Sequence, residues 1–281
     1  MRVEKSIATA ALMVGALVPV AVTAGSQPTP KPQQGASDSA KIVNPTWKTF
    51  TTATSRGTKI VVSTGGNITG YASPTAAGAF YEHIGVGAYS EGYVLCYNGV
   101  NAWDTGTSSS GFGTPTTSSN AIVRRTSDNR VQLTQTFQLF TGSPTTFVVQ
   151  MSVKNVSSSQ LTGVVLRRQV DFDIDTGGAQ GWAGFVSNHS RTRATVSAFH
   201  DPAEAPSGKE SHGIMLAVLK QTGNWYTRVT ADILPTGCDP ASAPLDANFI
   251  SRGDYGDTIG FPIGSIAPGQ TKVVSVRYMR Y

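Results

Sequence analysis

The chain of 281 residues has few charges, few cysteines and few histidines: 22 Lys+Arg, 17 Asp+Glu, 2 Cys and 4 His. Charged residues at 14% against 39% hydrophobic exclude a disordered polyampholyte and a coiled coil, and two cysteines exclude a disulfide-dense miniprotein. Catalytic signatures are missing as well. There is no G-x-S-x-G elbow, no H-E-x-x-H helix, no P-loop, and no G-x-G-x-x-G opening a helix. The basic residues occur as scattered pairs such as Arg124-Arg125, without the aromatic-interleaved stripe that single-stranded nucleic acid needs, so no nucleic-acid partner is expected. After the first residues no long apolar run recurs, so no membrane span is expected in the mature chain.

The one long apolar run, Ile7 to Val22, follows Arg2 and Lys5 and ends in Val22-Thr23-Ala24, the pattern of a cleaved export signal over residues 1–24. Residues 25–40 are rich in Pro, Gln, Ser and Gly and bury too little apolar surface to offset the entropy of ordering, which reads as a linker. Residues 41–281 read as one domain, secreted or held at the cell surface or in the periplasm.

Within that domain the apolar pattern has period two. Phe147, Val149, Met151 and Val153 alternate with polar residues, and so do Val131, Leu133, Phe137 and Leu139, and Val274, Val276 and Tyr278. Clusters of Gly, Ser, Asn and Pro separate the runs. The expected fold is an all-β, antiparallel β-sandwich of about a dozen strands. One helix start is legible, Ser73-Pro74 before Thr75 to Ile84, weakened by Gly78. In an oxidising compartment Cys96 and Cys238 can pair; the alternative is two separate buried thiols. Without a C-x-x-C pair they offer no zinc site.

Candidate chemistry falls in three places. Asp171, Asp173 and Asp175 spell the opening of a calcium loop, but Thr176 stands where that loop needs Gly and Trp182 where it needs Glu. An Asp ladder paired with Arg167, Arg191 or Arg193 is the preferred reading, with calcium the only cofactor to weigh. Arg168 falls on the same strand face as Val170 and Phe172, which demands a bulge or a buried ion pair. Trp103 with Asp104, and Trp182, stand in Gly/Ser-rich stretches where a ring and a carboxylate suit a sugar. His200, Asp201, Glu210 and His212 bracket a loop that offers an acid and a base if they converge.

Read together, Glu91-Gly92-Tyr93-Val94, the hairpin through Lys154-Asn155-Val156-Ser157 and Leu161-Thr162-Gly163-Val164, and Arg167-Arg168 with Asp171-Phe172-Asp173 resemble uncharacterised bacterial extracellular β-sandwich modules. Those modules usually carry Glu-Gly-Trp-Gly early and Arg-Arg-x-x-Asp-Trp-Asp late, and the resemblance implies fold and location only. Ile266-Ala267-Pro268-Gly269-Gln270 before the last strand is similar to a turn of the galactose-mutarotase-like supersandwich. The function expected is a binding module for a glycan or cell-envelope component; a sugar-modifying enzyme and a structural envelope protein are the alternatives.

Overall fold

The computed structural model describes residues 44–52, 58–74, 80–84, 91–140, 145–172, 174, 187–199, 213–220, 223–230, 236–238, 249–253 and 255–280. The signal and linker expected over residues 1–40 lie outside them. Among the described residues nineteen strands, numbered in chain order, form three antiparallel sheets, more strands than the sequence pattern predicts. The four-stranded sheet contains β1 (Thr46–Thr51), β2 (Lys59–Ser63), β3 (Ile68–Pro74) and β4 (Phe80–Glu82), paired in that order.

The six-stranded sheet contains β5 (Glu91–Tyr97), β6 (Val100–Asp104), β7 (Ser109–Ser110), β12 (Leu161–Asp171), β16 (Tyr226–Thr230) and β18 (Gly256–Ile266), in the order β16-β18-β12-β5-β6-β7. The nine-stranded sheet contains β8 (Thr116–Thr117), β9 (Ala121–Arg125), β10 (Val131–Leu139), β11 (Thr146–Asn155), β13 (Ser187–Arg191), β14 (Thr195–Phe199), β15 (Gly213–Lys220), β17 (Phe249–Gly253) and β19 (Thr271–Arg280). Its order is β17-β13-β14-β15-β19-β11-β10-β9-β8. The helix expected from Ser73-Pro74 is absent from the described residues: β3 continues through Pro74 and pairs antiparallel with β4. Pairing fixes Pro74 opposite Phe80, at the strand end and away from the sheet interior, where its missing N–H is tolerated.

The core follows from strand parity. Val131, Leu133 and Phe137 of β10, Phe147, Val149, Met151 and Val153 of β11, and Val274, Val276 and Tyr278 of β19 turn inward against Tyr93, Leu95, Leu166, Val170, Ile259 and Phe261 of the six-stranded sheet. Ile60, Val62, Ile68 and Tyr71 bring the four-stranded sheet into the same cluster. The opposite face of the six-stranded sheet carries a small second cluster, Val94, Cys96 and Val165, against which Trp103 and Cys238 pack.

Cys96 and Cys238 are bridged, with Cα atoms 5.7 Å apart across a sequence separation of 142. Turn chemistry completes the pairing: β5 and β6 are joined at Asn98-Gly99, both with positive φ (50° and 77°), the backbone that a two-residue hairpin turn requires. Asn155 at the end of β11 donates from Nδ2 to the carbonyls of Ser159 (2.8 Å) and Ile266 (2.9 Å), tying two connections together.

Candidate functional site

Parity on β12 dictates the most polar point of the core. Val164, Leu166, Val170 and Phe172 face inward, and Arg168 must face inward with them. The register between β12 and β18 runs without interruption from Val165 to Asp171, so no bulge releases it, and Arg168 is fully buried. A buried guanidinium is tolerated only when paired and hydrogen-bonded.

Glu91, the first residue of β5, supplies the pair: Arg168 Nε donates to Oε1 at 2.5 Å and Nη2 to Oε2 at 2.8 Å, a bidentate clamp. Nη1 donates to Gln135 Oε1 of β10 (2.6 Å) and Nη2 to the Gly66 carbonyl between β2 and β3 (3.1 Å). Glu91 also accepts from the Tyr278 hydroxyl of β19 (2.5 Å) and the Ile68 N–H (2.6 Å). One side chain thereby joins all three sheets. Burial pushes the Glu91 carboxyl up to about 7, against the pull of Arg168, Tyr278 and the Ile68 amide. Burial works most strongly against the Arg168 charge, but Glu91 and Tyr278 together outweigh it and hold the guanidinium above its ordinary value. Both partners are closed off from solvent, so the arrangement is a clamp and offers no surface to a substrate.

A second buried ion pair lies beside it. Asp104, the last residue of β6, is fully buried and pairs with Arg124 of β9. Its remaining capacity is taken by Asn44 Nδ2 (3.0 Å) and the Gly106 N–H (2.9 Å). Arg124 donates to the Tyr93 hydroxyl (3.2 Å), which donates to the Gly65 carbonyl (2.7 Å). Asn67 links the two ion pairs, its Nδ2 donating to the carbonyls of Glu91 (2.9 Å) and Asp104 (3.3 Å). The Asn-x-Ser/Thr triplets at Asn67 and Asn155 are thus buried and occupied, and neither amide is open to a glycan.

This placement corrects the reading of Trp103 and Asp104 as one loop-borne sugar contact. They are neighbours on β6, so their side chains leave opposite faces of the sheet: Asp104 enters the core, and Trp103 packs half-buried beside the disulfide. Asp171 is buried at the end of β12, whereas Asp173, Asp175, Trp182, His200, Asp201, Glu210 and His212 lie outside the described residues. Among the described residues no three His, Cys, Asp or Glu side chains gather as a metal would need. Arg191 is buried and reaches the Thr227 carbonyl (3.4 Å), while Arg193 is exposed with its guanidinium 5.6 Å from the Trp225 ring centre. His189 Nδ1 lies 3.0 Å from Asp257 Oδ2 with Tyr255 edge-on at 5.3 Å; burial raises the Asp257 carboxyl and His189 opposes the rise. That pair too is enclosed between the sheets.

Among the described residues, one accessible feature is on the outer face of the nine-stranded sheet. A depression of about 390 Å³ is lined by Thr136, Gln138, Val148, Gln150, Leu219 and Ser275. These are the outward partners of the core residues on β10, β11, β15 and β19, and the register sets Thr136 beside Gln150 and Gln150 beside Ser275. The pairing continues past β10, where the Phe140 N–H donates to the Thr146 carbonyl (2.9 Å), so Phe140 falls on the Gln138 face and is 47% exposed. Uncharged amides and hydroxyls beside apolar side chains, with an exposed ring farther along the same face, can hydrogen-bond vicinal hydroxyls and stack against the flat face of a sugar. Single-strand periodicity conceals this site, because its members sit on four strands; the alternation of Thr136 and Gln138 with Phe137 is its only trace in sequence.

No family model matches the chain, and no curated protein does. Among solved structures it is similar to a bacterial glucoamylase in a complex with acarbose, at 8% identity and a TM-score of 0.53, over 89% of this chain and 35% of that one. The chain therefore spans about a third of that enzyme's length, and the likeness is one of fold: an antiparallel β-sandwich.

Proposed function

We propose that this is an exported carbohydrate-binding module whose ligand lies on the outer face of the nine-stranded sheet. The observation that carries the reading is the depression lined by Thr136, Gln138, Gln150 and Ser275, with Val148 and Leu219 as its apolar members and Phe140 exposed two residues beyond Gln138. Sugar recognition needs that mixture of apolar area and few placed neutral polar groups. The Cys96–Cys238 bridge supports an oxidising, extracytoplasmic location, in keeping with the apolar run at residues 7–22. The glucoamylase in complex with acarbose adds a carbohydrate-active neighbour of the same fold.

Affinity electrophoresis in gels containing amylose, xylan, mannan or alginate tests the reading. Retardation by at least one polymer, lost in Phe140→Ala and Gln150→Ala proteins of unchanged Tm, is expected. Retardation by none, or retardation indifferent to both substitutions, sinks it.

A further inference from the structure

The nine strands of this sheet contain no Asp or Glu at all, yet they carry several Arg and Lys. Two of these basic residues turn inward. Arg124 enters the core to meet Asp104, and Arg191 turns inward to Thr227. Arg277 has no such partner among the described residues. It alternates on β19 with Val276 and Tyr278 of the core, so it points outward, between Val148 of β11 and Ala217 of β15. Val148 lines the depression, and Ser275, two residues earlier on the same face, lines it too.

The Arg277 side chain is half-buried, and its Nε is shut off from solvent without a hydrogen-bond partner. With the side chain only half-buried and no carboxylate among the described residues to meet it, the Arg277 charge is left to an anion from outside. On the same face Gln132 is flanked by Arg125 and Lys154, both exposed. Six residues of strand separate Gln132 from Gln138, so the two cationic points stand roughly 20 Å apart with neutral Thr and Gln side chains between them.

We infer that the face takes an acidic polysaccharide, a chain of uronate type whose hydroxyls meet the amides and hydroxyls of the depression and whose carboxylates meet Arg277 and, farther along, Arg125 and Lys154. This rests on the carbohydrate-binding reading and gives it a ligand class. Arg277 acts as the specificity-determining contact, because its planar fork can donate two hydrogen bonds to a carboxylate and gives no advantage to a neutral sugar. A nucleic acid would also supply anions, but the face offers one exposed ring at its end rather than a series of stacking platforms.

The test uses the chain without residues 1–24, titrated against alginate, polygalacturonate, amylose, xylan and single-stranded DNA by isothermal calorimetry at low and physiological salt. Wild type is expected to bind a polyuronate, with affinity falling as salt rises. Arg277→Met should weaken that binding about tenfold and Arg277→Lys less, since one charge-assisted contact is lost in the first and blunted in the second. Thermal melts establish that each variant is folded, and Gln150→Ala, which removes a neutral contact, provides a second reading of the same site. Equal affinity for amylose or xylan with Arg277→Met unchanged overturns the acidic-ligand inference and leaves the carbohydrate reading standing. No binding to any polysaccharide overturns both. Tighter binding to DNA than to polyuronate overturns the inference in favour of a polyanion surface of another kind.

Discussion

Replacing Glu91 by Gln is the sharpest test of the buried clamp. The carboxylate accepts from Arg168 Nε and Nη2, the Tyr278 hydroxyl and the Ile68 N–H. An amide of the same shape has only one acceptor oxygen, so in either orientation its NH2 faces donors, while Arg168 keeps a charge that it cannot shed. An unpaired charge in a fully buried site costs about 3–5 kcal/mol. For a domain of this size that lowers Tm by about 10 °C.

Arg168→Met gives the opposite orphan, a buried carboxylate, but this one can take a proton. Its cost should therefore be smaller at pH 5 than at pH 8, while that of Glu91→Gln runs the other way, because the parent loses the Glu91 contribution as pH rises and the amide does not titrate. In the double variant the two losses should fall short of their sum by about 2–3 kcal/mol, the coupling expected of residues in one network. Urea denaturation of the four proteins at both pH values measures all of this. Additive losses, or an Arg168→Met cost independent of pH, would refute the argument that the two groups form one desolvated pair.

The wild-type pH profile follows from the same residue. Glu91 has its folded value raised from 4.5 to about 7, so between those values the native chain holds a proton that the unfolded chain has released. Its contribution to stability therefore falls as pH rises across that window, and Glu91→Gln should flatten the difference in urea midpoints between pH 5 and pH 8. Gly92→Ala should destabilise strongly, because a Cβ there would lie 1.8 Å from the Asp104 carbonyl and force β5 and β6 apart; circular dichroism melts report it. Phe172→Ala, at 1% exposure, should cost about 3–5 kcal/mol in chemical denaturation, and a variant as stable as the parent would show that β12 does not bury that face. Reducing the Cys96–Cys238 bridge should lower stability by about 4–5 kcal/mol in the chain-entropy view of so long a loop, read as a shift of the urea midpoint with dithiothreitol.

The sequence by itself determined the class of fold and the inward face of the long strands, because period-two alternation requires only neighbouring residues to register. It also determined that Arg168 lay on a core face and needed a buried partner or a bulge. That Glu91 is this partner was decided by tertiary structure: the two are 77 residues apart and meet only because β5 pairs with β12. The pairing of β5 with β6 explains why Gly92 must lack a side chain. Gln135 interrupts the apolar run of β10, and strand parity alone cannot tell a misplaced amide from one that meets a guanidinium across the core. Trp103 and Asp104 are adjacent in sequence, and adjacency suggested a joint site; pleating sends them to opposite faces. The depression at Thr136, Gln138, Gln150 and Ser275 exists only through the lateral order β10-β11-β19-β15, which places residues about 140 positions apart side by side. Strand order is set by the packing of the whole sheet, and no local pattern encodes it.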